Sequence, residues 1–549
     1  WSRETIAEKL AEYEQSDQCT SSQRQLAQEL GVPRTTLQHW LGRKEVPDVD
    51  PAVTAFFGSP AGVVFLHRLV LAAHFVMTLI GPCGIRLVCL LLELSGLDAY
   101  VAASYGPQQK VSAVMEQSVV AFGKEERENL KAEMPCGKQI TVCQDETFHP
   151  GICLVAIEPV SNYILLEKYA DNRSADEWTR SMASATQGLP VEIIQSTSDE
   201  GRGILHHVQE DLGIQHSPDL FHVQHELCKG TSIALANLVR QAKQVVEKAA
   251  QRVSHCREKQ AIAVKKDEAL DQEFQTAQEQ DRQARQVLET NVQQQQQVSQ
   301  VIREIGMEYH PYDLETGEPR SAEQLATSLA QHFAEIEAVA IAANLPERCL
   351  KKIYKAKRVV VEMIATLNFF WLTVQTKVEA LSLTPEVEQI VYSHVIPAMY
   401  LHLVSKKTSD PARRSVLQKQ SEALLAPALS GSGPLAGLQP EEVQVIERVA
   451  WECAQCFQRS SSCVEGRNGQ LALHHHSLHR LTDRKLTALT TVHNFFIQRN
   501  DGTTAAERFF GTQPRDLFEW LLDRVELPGW PAQKRSLPCR KEFLPQFSA

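Results

Sequence analysis

Positive charge is what this sequence is short of. Its 549 residues carry 56 lysines and arginines against 67 aspartates and glutamates, a formal charge of -11. That balance excludes the globally basic surface common among nucleic-acid binders and leaves room only for local basic patches. A Gly-rich phosphate loop of the Walker type is also missing, so ATP-driven chemistry is not indicated. The thirteen cysteines are odd in number and scattered, which fits reduced thiols in a cytosolic protein rather than a disulfide framework. Nothing at the start resembles a signal peptide, and Trp1 without a preceding Met leads us to expect that the true start lies upstream. The most apolar run, Leu69 to Ile85, contains His74 and the breaker Gly81-Pro82, so it is expected to be a buried helix rather than a membrane span.

What is present describes a large globular protein, 43% hydrophobic and 22% charged, long enough for three or four domains. Arg3 to Tyr13, Gln23 to Leu30 and Arg34 to Leu41 read as three short helices. Ser22 caps the second, Gly31 turns the chain and Pro33 opens the third. This is the pattern of a helix-turn-helix, with Arg34, Thr35, Gln38 and His39 on the exposed face, residue types suited to phosphates and base edges. A small helical bundle without a ligand has the same pattern. Pro47 to Pro51 reads as an acidic linker, and Phe56 to Leu97 as an apolar helical pair. Gln109 to Glu133 then reads as a more polar helix.

Strands are expected at Ile140 to Cys143, Ile152 to Pro159, Tyr163 to Tyr169, Val191 to Ser196 and Ile214 to Leu220. Helices fall at Ala175 to Ala185 and Ile204 to Leu212. The order βββαβαβ sets the first and fourth strands side by side, so that Asp145 and Asp199, each following a strand, meet at one sheet edge. A third acid, Glu465, arrives much later in a helical segment. Three carboxylates are the oxygen donors that hard divalent ions prefer, and two such ions serve phosphodiester cleavage.

The runs Thr141-Val-Cys-Gln-Asp145-Glu-Thr-Phe-His149, Ile193-Ile-Gln-Ser-Thr-Ser-Asp199-Glu-Gly201 and Ser461-Ser-Cys-Val-Glu465-Gly-Arg-Asn-Gly469 carry a resemblance. So do Asp219-Leu-Phe-His222, similar to the C/D-x-x-H feature of hAT and Mutator-like elements, and the tail Thr491-Val-His493-Asn494 to Arg508-Phe-Phe510. In these stretches, roughly 140–240 and 460–522, the chain resembles a bacterial insertion-sequence DDE transposase with a ribonuclease H-like core. The resemblance implies a multidomain α+β protein. Its expected parts are a helix-turn-helix domain at 1–46, a helical domain at 52–135, core halves at 138–232 and 441–525, and a C-terminal tail at 526–549. An all-helical insertion with a coiled-coil hairpin would lie between the core halves, at 233–426.

It further implies Asp145, Asp199 and Glu465 as catalytic residues and ligands of two Mg²⁺ or Mn²⁺ ions, with DNA contacts at Arg34, Thr35, Gln38, His39, His222 and Arg467. Element ends and target DNA are the implied partners of a homodimer or higher oligomer, and a bacterial cytoplasmic, nucleoid-associated location follows. His149 and His493, like Arg467, are weaker candidates for contacts to phosphate or to the residues that hold the metal ligands, and His474-His475-His476 with His479 reads as lying near DNA or on the surface. Glu146 and Glu200 are expected on the opposite face from their neighbouring aspartates. Cys453-Ala-Gln-Cys456 with Cys463 has zinc-ligand spacing, but the pair sits inside a helix and no second Cys-x-x-Cys exists. A linker is expected at Ala426 to Pro440. Two other classes remain open: a ribonuclease H-like nuclease that cuts without joining, and a transposase-derived DNA-binding protein without catalysis.

Overall fold

The computed structural model describes residues 1–16, 22–42, 50–134, 137–148, 151–262, 267–431, 433–478 and 481–531. It is a mostly helical α+β protein with one five-stranded mixed sheet. The expected Pro47 to Pro51 linker lies largely outside the described residues, as do His149 and His479. Pro51 itself opens a helix capped by Asp50.

At the N-terminus, helices Arg3–Gln15, Gln23–Glu29 and Arg34–Leu41 close over Leu10, Ala27, Val32, Leu37 and Trp40. Ser22 and Gln25 form a reciprocal capping box, and Gly31 takes φ +66°, which glycine adopts without a steric penalty. Replacing Ser22 with alanine is expected to cost about 1 kcal/mol, read as faster hydrogen exchange of the amides in Gln23–Glu29. Arg34, Thr35, Gln38 and His39 are all exposed. The cluster is docked through Arg3, whose guanidinium donates to the Tyr100 carbonyl at 2.7 Å and lies over the Trp530 ring.

The apolar region is helix Pro60–His74 continuing as a π-turn over Phe75–Ile80, with Ile85–Leu94 after the Gly-Pro break. Pro60–Ile80 and Glu347–Glu379 are long and apolar enough to cross a membrane by length and composition, with 56% and 33% of their apolar windows buried inside the protein. Leu71, Phe75 and Leu79 are part of the hydrophobic layer under the sheet, together with Val119 and Phe122 of helix Tyr105–Glu133. Leu66, Val70, Val88, Leu92, Tyr100 and Val101 form a small cluster of their own, so these helices divide between the sheet's core and a local one.

The sheet comprises β1 (Lys138–Phe148), β2 (Ile152–Glu158), β3 (Tyr163–Ala170), β4 (Val191–Ser198) and β5 (Gln215–Pro218), in spatial order β3-β2-β1-β4-β5. β1 runs parallel to β4 and antiparallel to β2. Helix Ala175–Thr186 covers one face, where Trp178 is fully buried with Leu154, Met182 and Ile204. β1 is longer than its apolar run predicts. Gln144, Asp145 and Glu146 stay in the strand because β2 continues to pair with them, Asp145 opposite Val155.

β5 leads into helix Leu220–Ile262, which packs along Glu268–Glu308 as an antiparallel hairpin. Further helices through Lys407 build a second core around Leu325, Phe333, Phe370 and Tyr400. Two boundaries differ from expectation. Helix Pro411–Leu429 extends into the Gly/Ser/Pro-rich stretch, and Ala428 and Leu435 are buried in this helical core. Helix Pro440–Cys456 belongs to the same core through Ile446, Ala450 and Cys453, and only the next helix, Ser462–Leu478, crosses to the sheet.

Candidate carboxylate site

The register between β1 and β4 pairs Gln144 with Ser198, and the next residue on each chain is an aspartate. Parallel pairing thus brings Asp145 and Asp199 to the same edge. Asp145 faces helix Ser462–Leu478: its Oδ2 accepts from Asn468 Nδ2 at 3.2 Å, and its Oδ1 accepts from the Glu146 amide at 2.8 Å. Glu146 points the other way, accepting from Arg173 at 3.0 Å and from the Trp178 indole at 3.1 Å. Alternation along the strand separates the two acids as expected. Asp199 lies just past β4, where its Oδ1 accepts from the Gly201 amide at 3.0 Å.

The Asp145 carboxyl is raised to about 7, chiefly by burial and in part by the charges of Asp199 and Glu465. The Glu146 amide and His222 pull against that rise. Three carboxylates from distant parts of the chain therefore share one electrostatic environment. They do not close on a single point: among the described residues no group of three or more His, Cys, Asp or Glu side chains is arranged to hold a metal ion. Glu465, in the first turn of its helix and about 42% exposed, turns its Oε1 toward His222 Nε2 at 3.9 Å.

Asp219 ties these pieces together. Almost wholly buried, it accepts from the Phe221 amide at 2.7 Å, and from the Ser461 amide at 3.1 Å and the Ser461 hydroxyl. One carboxylate thus anchors the start of the His222 helix and the approach to the Glu465 helix. His222 Nε2 lies 3.9 Å from both Asp219 and Glu465, buried and without a hydrogen-bond partner.

Other expected contacts are placed elsewhere. Arg467 is not presented to a ligand; it is 7% exposed, and its guanidinium makes a two-pronged ion pair with Glu167 of β3 at 2.8 and 2.6 Å. His493 and Asn494 brace the β2–β3 turn, His493 against the Asn162 carbonyl at 2.9 Å and Asn494 against both backbone groups of Ile164. Arg508 donates to Ser161 O in the same turn. These three residues of the tail motif brace the sheet. His474 is buried and held down at about 4, so it stays neutral, while His475 bonds Tyr169. Burial pushes Cys453 up to about 12 and Cys456 up to about 11, so both are neutral thiols lying in the helical core. Asn468 escaped the sequence reading. The signal was its spacing, three residues after Glu465 and hence on the same helix face.

A family model described as a family of unknown function, DUF6399, matches residues 391–537. No curated protein matches the chain. The matched segment includes Glu465 and Asn468 but neither Asp145 nor Asp199.

Proposed function

We propose that the chain is a DNA transposase with a ribonuclease H-like sheet, using Asp145, Asp199 and Glu465 for strand cleavage and strand transfer at element ends. The carrying observation is the parallel β1–β4 register, which sets two aspartates at one edge that Glu465 and His222 approach from separate helices. The strand order β3-β2-β1-β4-β5 is compatible with that fold. The N-terminal cluster would act as the helix-turn-helix, with the exposed Arg34, Thr35, Gln38 and His39 facing DNA. Bringing two element ends together implies at least a dimer.

The donor set is entirely oxygen, which suits Mg²⁺ or Mn²⁺. When bound by these three acids, two such ions would supply an activated attacking oxygen and neutralise the leaving one. The half-exposed Glu465 has the reach and freedom to turn inward. Asn468 fixes Asp145, Asp219 fixes the two helix starts, and His222 offsets part of the negative charge. The unpartnered, buried His222 Nε2 supports a polar role at this place.

The deciding experiment supplies the protein with Mg²⁺ and linear DNA carrying the genomic flanks of its coding region, then scores cutting and joining to a second DNA. Cutting with joining is expected. Cutting alone identifies a nuclease, and no reaction on any DNA overturns the proposal. His222→Ala is expected to slow cleavage by about 10–100-fold while leaving the thermal midpoint nearly unchanged.

A further inference from the structure

A cleft of about 1000 Å³ lies between the helical body and the sheet's C-terminal helices. Its lining concentrates positive charge in an otherwise acidic protein: Lys406 and Lys407 end one helix, Arg459 precedes the Glu465 helix, and Arg499 follows helix Asp483–Phe495. One acid, Asp501, shares the wall: its Oδ1 accepts from the amide and hydroxyl of Thr503 at 2.9 and 2.6 Å, and its charge offsets part of that of Arg499. The charged or titratable groups that act on Lys407 are Cys143, Cys463, Arg459 and Arg499, with no carboxylate among them. Those on Arg459 are Tyr400, Tyr309 and Arg413. Lys407 is open to water yet walled by protein, which together with the two arginines holds its ammonium below the usual value. Four cations and a single acid lining one cleft point to an anion as its occupant.

The other wall is aromatic. Trp451 lines the cleft with Tyr400 and Phe457, and the Lys406 ammonium sits 5.9 Å from the Trp451 ring centre. Arg459 spends one nitrogen on the carbonyls of Gly306 and Tyr309, which fixes its plane. Fixed cations beside flat aromatic surface are the two halves of nucleotide recognition: phosphate by charge, base by stacking. All lining residues except Pro159 and Val160 fall within the segment matched by the family model, so this cleft, unlike the carboxylate site, is nearly complete inside that segment.

We infer that the cleft bounded by Lys407, Arg459, Arg499 and Trp451 binds a nucleoside phosphate, either free or as the end unit of a DNA single strand. The inference uses none of the three carboxylates and stands apart from the transposase proposal.

The test is fluorescence titration of the full chain in EDTA, with a mant-labelled nucleoside triphosphate in one arm and a short 5′-phosphorylated, dye-labelled single strand in the other. Saturable binding is expected, weakened about tenfold or more in Lys407→Gln/Arg499→Gln, as loss of charge-assisted contacts predicts. Trp451→Ala should lose the quenching of protein fluorescence that accompanies binding. Binding of the triphosphate assigns a free nucleotide; binding of the strand alone assigns a strand end. Failure of both probes, or unchanged binding by the folded double variant, overturns the inference. So does a loss of binding in Asp145→Asn equal to that in the double variant, since the probe would then occupy the carboxylate edge. Absence of DNA cleavage with the binding pattern intact would fell the transposase proposal alone.

Discussion

Asp145→Asn is expected to abolish DNA cleavage and, at the same time, to make the protein harder to melt. The first effect follows from removing a carboxylate that would hold a divalent ion, a loss on the order of 10³-fold or more in rate. The second follows from burial. The folded carboxyl is raised from 3.8 to about 7, so above neutrality the folded protein carries a charge that it resists, worth roughly 4 kcal/mol against folding. The sign is set by proton uptake: between those two values the folded state holds the proton that the unfolded state has released. Wild-type stability should therefore fall as pH rises from about 4 to about 7 and level off above. The amide variant should lack that slope. Added Mg²⁺ should raise the wild-type midpoint by mass action and leave the variant's unmoved. A variant that cuts DNA at the wild-type rate would remove Asp145 from the mechanism. One that melts below wild type at pH 8 would show the burial account to be wrong.

Arg467→Met is expected to destabilise the fold by about 3–5 kcal/mol, the usual consequence of leaving one member of a buried ion pair uncompensated. Glu167 is fully buried along its side chain and also accepts from the Thr490 hydroxyl, so without the guanidinium its charge has no adequate partner. Adding Glu167→Gln in the same chain should recover most of that loss, because the stranded charge is then gone. Equilibrium denaturation of the two single variants and the double variant measures the coupling. Were Arg467 instead a phosphate contact, the single variant would unfold at the wild-type midpoint and fail only in DNA binding.

How far the sequence could be read depended on whether a feature was local. The three N-terminal helices were legible in Ser22, Gly31 and Pro33, because caps and turns act over a few residues. The neighbouring β1 and β4 were legible from the order of strands and helices, and with them the meeting of Asp145 and Asp199. The end of β1 was not: Gln144-Asp145-Glu146 looks like the close of an apolar strand, and only the partner strand β2 keeps it extended. Arg467 looked like a contact because it stands two residues after Glu465 and a guanidinium suits phosphate, while its partner Glu167 lies 300 positions earlier. The 426–440 stretch has the composition of a tether, yet Leu435 is buried by helices distant in sequence. The basic cleft had no signature at all, since its cations come from separate elements that only the fold assembles.

Helix Leu220–Ile262 begins beside Asp219 and continues for 43 residues without a break, a rod of about 65 Å. Any tilt of the hairpin about that anchored root is geared down along its length. A swing of about 10° would carry the far end through roughly 11 Å but move His222, within the first turn, by less than about 1 Å. Coarse displacement where the rod meets its surroundings arrives as fine adjustment beside Glu465.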